Sequence, residues 1–149
     1  MATTVIEQWA QAWKTVKEGD ERSFTVENVG PTHFVKYAGA GGDFNPMHHD
    51  DAFAKSADLP GVFGMGMFAA GVLSRIPTEW FGPTAVQRYG FKFNSRLWPA
   101  NDVVFSGRVT RVYEEGGVKH ADLELSAVTK KGENLIQGNA TVRPWSPKK

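Results

Sequence analysis

The sequence predicts an α+β domain in which a curved antiparallel sheet wraps one buried helix. Three observations carry this. Residues 64–76 are apolar on every face until Ser74 and Arg75, and a helix that is apolar all round belongs in a core. Four segments between residues 86 and 142 alternate apolar with polar residues, the period of half-buried antiparallel strands. A single buried helix needs a surface that encloses it, and a strongly curved sheet of about five strands provides one.

The elements follow in order. Residues 4–17 predict a helix, with Ile6, Trp9, Trp13 and Val16 forming one apolar stripe and Thr4 with Glu7 forming a capping box. This amphipathic helix, residues 1–20, is expected to dock on a single domain made of residues 21–149. Two tryptophans are costly to leave in water, so a helix that binds a partner is the other reading. Residues 22–27 alternate as a strand that Gly30-Pro31 breaks. A short helix over 32–38 would turn Phe34, Val35 and Ala38 inward, and Gly39 to Gly42 would form a flexible turn. Such a turn can cradle phosphate, but no Lys-Ser/Thr follows it, so that signal is weak.

Residues 50–57 suit another short helix. The apolar helix over 64–76 follows, with Pro77 as its end and with small residues Gly66, Ala69, Ala70 and Gly71 that allow close approach. In the last part Tyr89, Phe91, Phe93 and Ser95 share one face of a strand over 86–97. Val103, Phe105, Gly107 and Val109 share a face of the next, Leu123, Leu125 and Ala127 of the third, and Ile136, Gly138, Ala140 and Val142 of the last. Glu115-Gly116-Gly117 and Lys131-Gly132-Glu133-Asn134 read as hairpin turns, and residues 98–102 as a longer connection. Residues 144–149 are expected to fray.

Composition narrows the function classes. A net charge of +1 gives no reason to expect nucleic acid or an anionic membrane as partner. Zero cysteines exclude disulfides, thiolate metal sites and cysteine nucleophiles. No apolar run reaches the roughly 18 residues that span a bilayer, and the first residues lack a signal-peptide pattern, which suits the cytoplasm.

The chemistry concentrates in Gly42-Asp43-Phe44-Asn45-Pro46-Met47-His48-His49-Asp50-Asp51. Asn45-Pro46 sets a turn across which Asp43 and His48 can converge on one point. A carboxylate and an imidazole around one water can activate it, because imidazole exchanges protons near neutral pH. Asn45 could orient a carboxylate or bind a polar group of a substrate. The amides of Met65, Gly66 and Met67 begin the apolar helix, have no partner within its ladder and carry its positive end. Aimed at a carbonyl oxygen they would stabilise enolate charge. Together these features suggest addition or loss of water at an acyl compound, or acyl hydrolysis. The bland alternatives are that Asp43 caps a turn and His48 is a satisfied core histidine. His48, His49, Asp50 and Asp51 could also ligate a metal, but adjacent residues point apart and no third distant cluster exists beyond His33 and His120, so no metal is expected. Met65, Met67 and Phe68 fit core packing and an acyl-binding surface alike. Arg88, Lys92, Arg96, Lys130 and Lys131 could meet the phosphates of a carrier or form a solvated face.

Tyr37-Ala38-Gly39, followed by residues 42–50, resembles the MaoC-like (R)-specific enoyl-thioester hydratase and 3-hydroxyacyl-thioester dehydratase family, whose motif runs Gly-Asp-x-Asn-Pro-hydrophobic-His-x-Asp. The resemblance covers about residues 20–143 and implies the hot-dog fold, a sheet wrapped around a central helix, paired as a homodimer or with another hot-dog subunit. It implies that Asp43 and His48 hold the reacting water and that the Gly66 amide holds the thioester carbonyl. It also implies that Asn45 arranges the pair and that Ser74 has a supporting polar role. Met65 and Met67 would lie along the acyl chain. No cofactor is implied; CoA or acyl carrier protein is part of the substrate. One departure stands out. Members commonly carry Ala-His-Gly-Met entering the central helix, whereas Gly64 is followed here by Met65-Gly66-Met67, which makes the Gly64 amide a rival to that of Gly66. Two other functions fit the same fold: a thioester hydrolase, and a non-catalytic partner subunit of a heteromeric dehydratase.

Overall fold

A computed structural model describes residues 4–144. The alternating segments form one five-stranded antiparallel sheet made of β1 (Glu21–Val29), β2 (Val86–Phe93), β3 (Asn101–Glu115), β4 (Val118–Thr129) and β5 (Asn134–Val142), in the order β1-β3-β4-β5-β2. The faces are those that the alternation requires. Val103, Phe105 and Val109, Leu123, Leu125 and Ala127, and Ile136, Ala140 and Val142 are buried, and they join Phe68, Ala69, Ala70 and Leu73 of the central helix in one core. At Gly107 of β3 the sheet has no side chain, which leaves room for its neighbours: a Cβ there would stand 2.5 Å from Ile76 Cγ2 and 2.8 Å from Leu125 Cδ2.

The first helix, α1 (Val5–Thr15), has the expected capping box between Thr4 and Glu7. It docks on the body through Trp9, whose Nε1 donates to Glu79 O at 3.2 Å, and through Trp13, whose ring centroid lies 4.8 Å from that of Phe81. Ala12 and Val16 are buried, while Ile6, expected in the stripe, is exposed.

Four expectations need correction. Residues 39–41 form no loose turn: α2 (Pro31–Gly41) runs through them and stops at Gly42, whose φ of +73° is the left-handed cap that glycine takes without strain. Each helical glycine costs about 1 kcal/mol against alanine, and the packing of Phe34 and Ala38 on the core offsets this. Val35, expected inside, is on the outer side of α2 and exposed. Pro77 does not end the central helix. The helix breaks earlier, at Ser74, into α4 (Gly66–Leu73) and α5 (Arg75–Phe81). Proline cannot donate to the carbonyl four residues back and its ring crowds that carbonyl, here that of Leu73, so the ladder gives way one turn before the proline. Finally, α4 is not enclosed on every side. Met67 is half exposed and Gly71 exposed, so one flank of the apolar helix faces outward.

Between α2 and α4 the chain makes a 3₁₀ turn (Pro46–His48) and α3 (Asp51–Ser56), which Asp50 caps by accepting from Phe53 N–H. Strand β2 ends at Phe93 rather than running on to Leu97. Leu97 instead makes an isolated bridge to Gly64, just ahead of α4. Among the described residues no helix is long and apolar enough to cross a membrane.

Candidate active site

The loop from Gly42 to His48 is held by its own polar groups. Asn45 accepts from Met47 N–H at 3.1 Å, which starts the 3₁₀ turn, and its own N–H donates to Asp43 Oδ1 at 3.3 Å. One oxygen of Asp43 is thereby anchored. The other, Oδ2, lies 3.8 Å from His48 Nε2.

His48 is buried, and its second ring nitrogen settles the tautomer. Nδ1 lies 2.7 Å from Phe63 O, and a carbonyl oxygen only accepts, so Nδ1 carries the hydrogen. In the neutral ring Nε2 is then a bare lone pair directed toward Asp43. The 3.8 Å gap is too long for a direct hydrogen bond and suits two groups that share one water at about 2.8 Å each. Phe63 is fixed in turn: its ring meets His48 edge-on at 4.9 Å and Trp98 at 5.8 Å, and the Arg96 guanidinium lies over it at 5.3 Å.

Asp43 lines a cleft of about 470 Å³ together with Phe63, Gly64, Met65, Gly66, Met67, Ala69, Phe93, residues 94–97, Leu135 and Ile136. Its floor is apolar, with polar groups at Asp43 and along residues 94–96. The start of α4 opens into it. Gly64 N–H donates to Leu97 O at 2.8 Å and is therefore occupied. No hydrogen bond among the described residues uses the N–H groups of Gly66 or Met67, which begin the helix. The structure thus gathers Asp43, Met65, Gly66 and Met67 around one cleft, with His48 behind Asp43. Asn45 and Ser74 do not line it. Asn45 shapes the loop, and Ser74 Oγ donates to Gly71 O at 2.7 Å, inside the helix. His49 donates or accepts no bond toward the cleft; its Nε2 contacts Phe44 O.

Two contributors had no signal in the sequence. The Phe63 carbonyl is a backbone atom that any residue supplies. Phe93 reaches the cleft only because β2 ends beside the start of α4.

A model of the MaoC-like domain matches residues 7–132. The chain belongs to the MaoC-like hydratase/dehydratase family. Over 83 residues this MaoC-like chain is 32% identical to the beta subunit of 3-oxo-4,17-pregnadiene-20-carboxyl-CoA hydratase of Mycobacterium tuberculosis, an overlap of 55% of this chain and 64% of that one. The matched stretches make up between 6% and 64% of the curated relatives' own lengths. Among solved structures, the unliganded R-hydratase PhaJ1 of Pseudomonas aeruginosa superposes with a TM-score of 0.77 at 18% identity, covering 93% of this chain and 86% of that one. The ChsH1-ChsH2 complex of Mycobacterium tuberculosis gives 0.75 at 21% identity, covering 88% and 100%. These likenesses establish the hot-dog fold of the MaoC-like chain.

Proposed function

We propose that this protein interconverts trans-2-enoyl and (3R)-3-hydroxyacyl thioesters by adding or removing water. The observation that carries the reading is the pairing of His48 Nε2 with Asp43 Oδ2 across 3.8 Å, with Nδ1 tied to Phe63 O. In the hydration direction a water held between them attacks C3. Its proton passes to the lone pair of Nε2, while Asp43 accepts the second O–H and keeps the oxygen aimed. The electron pair moves to the thioester oxygen, where the Gly66 N–H at the positive end of α4 stabilises the enolate. The imidazolium then returns its proton to C2, which leaves the site as it began. Met65 and Met67 supply apolar surface for the acyl chain. The steps use no cofactor, and CoA or an acyl carrier protein arrives as the thioester's own carrier.

We also propose a paired assembly with a second hot-dog subunit, the same chain or another. Met67 and Phe93 stand open beside the cleft, and Val35 and Phe44 are exposed elsewhere, apolar surface that pairing would cover.

Crotonyl-CoA tests the reaction. Loss of enoyl absorbance without release of free CoA thiol is the expected outcome, and thiol release would mark a hydrolase. Asp43→Asn and His48→Gln should each lower kcat by about 100-fold or more. Near-normal rates in both would end the assignment of this pair.

A further inference from the structure

Phe93 is the last residue of β2 and lies nearly half exposed at 48%, yet its ring is pressed against the first residue of α4. A Cβ built on Gly66 would stand 2.7, 2.9 and 3.0 Å from Cε1, Cζ and Cδ1 of Phe93. The backbone at Gly66 is helical and has no positive φ, so alanine could adopt it freely. What a side chain there would meet is the Phe93 ring, which would have to shift to admit it. The ring also packs against Phe91, with centroids 5.3 Å apart, and β2 is held to β5 through the Phe93–Ile136 pair. The ring is therefore a wall of the cleft, backed by the sheet and set directly beside the amide that begins the helix.

We infer that Phe93 determines acyl specificity by limiting the bulk that can lie next to the thioester carbonyl, so that the site selects thioesters unbranched at C2. The inference rests on the proposed reaction, in which the carbonyl oxygen accepts from Gly66 N–H. A carbonyl carbon carries two substituents, here sulfur and C2. Sulfur is the same in every thioester. Variation reaches the wall only through C2, and a methyl group there meets the aromatic ring.

The test pairs crotonyl-CoA with its 2-methyl analogue, tigloyl-CoA, and butanoyl-CoA with isobutanoyl-CoA. The saturated pair cannot be hydrated and reports binding alone. In Phe93→Ala the ratio of kcat/KM for tigloyl-CoA over crotonyl-CoA should rise about tenfold or more, the scale of one methyl group in an apolar pocket. The affinity ratio for isobutanoyl-CoA over butanoyl-CoA should rise in parallel. Gly66→Ala should lose activity, and Phe93→Ala placed on top of it should restore much of it, which simple loss of packing would not do. Unchanged ratios in Phe93→Ala, or no rescue in the double variant, would overturn the inference. A wild-type chain that hydrates no enoyl thioester, yet binds butanoyl-CoA more tightly than isobutanoyl-CoA in a manner that Phe93→Ala abolishes, would refute the reaction and keep the wall.

Discussion

A single backbone oxygen decides what His48 can do. With Nδ1 bound to Phe63 O, the ring presents a lone pair toward Asp43 rather than a hydrogen. Sequence reading reaches the pair itself, because the Asn45-Pro46 turn forces residues 43 and 48 to converge. It cannot reach the tautomer, which depends on a carbonyl 15 residues away. Tyr89 shows the same kind of remote anchoring. Its Oη donates to Ala70 O at 2.6 Å and so pins α4 to β2. Burial pushes its pKa up to about 12 from an ordinary 10. The folded state thus holds the phenol proton more tightly than the unfolded chain does. That contribution is complete below pH 10 and is lost as pH rises from 10 toward about 12. Tyr89→Phe should flatten this alkaline decline in denaturant titrations, while lowering stability near neutral pH by about 1 kcal/mol for the lost hydrogen bond.

At the level of elements, propensity misleads where tertiary contacts are strong. The glycines of α2 look like a turn, and only the burial of Phe34 and Ala38 keeps them helical. Pro77 looks like a terminator, yet its effect falls one turn earlier, at Ser74, and α5 continues as a platform for α1. That platform is specific. Gly82 takes a φ of +100° at the end of α5, and a Cβ there would press on the Trp9 ring at 3.3 Å. The seat accounts for where the two tryptophans of the first helix go. Trp13→Ala should lower unfolding free energy by about 2–3 kcal/mol, less than for a fully buried tryptophan. Since no residue of α1 lines the cleft, kcat should stay within about twofold of wild type. A collapse of kcat at temperatures where the variant remains folded, judged by circular dichroism, would contradict this account of α1.

For the whole molecule, strand alternation together with the wholly apolar helix foretold the wrapped sheet, because each strand has one face that must be dry and the helix needs enclosing, and β3, β4 and β5 bury the residues so assigned. The cleft was half legible. Its chemical residues lie in two neighbouring motifs, but its far wall at residues 93–97 is distant in sequence and is placed by strand pairing. The two walls are joined by the bridge from Gly64 N–H to Leu97 O, beside the contacts of Arg96 and Trp98 with the Phe63 ring. An isolated hydrogen bond contributes about 1 kcal/mol net, far less than the cooperative unfolding of a domain of this size. This hydrogen bond is seated in the core, however: Leu97 is a core residue, and Gly64 is buried with the Phe34 ring packed on it, so the bridge opens only when that packing does. Native-state hydrogen exchange should register this: the Gly64 amide should show a denaturant dependence close to that of Leu125 in the sheet interior. A Gly64 amide whose exchange is indifferent to low denaturant, while that of Leu125 follows global unfolding, would contradict this account. The junction of the two walls is therefore as durable as the sheet itself, and the mouth of the cleft keeps its shape for as long as the domain stays folded.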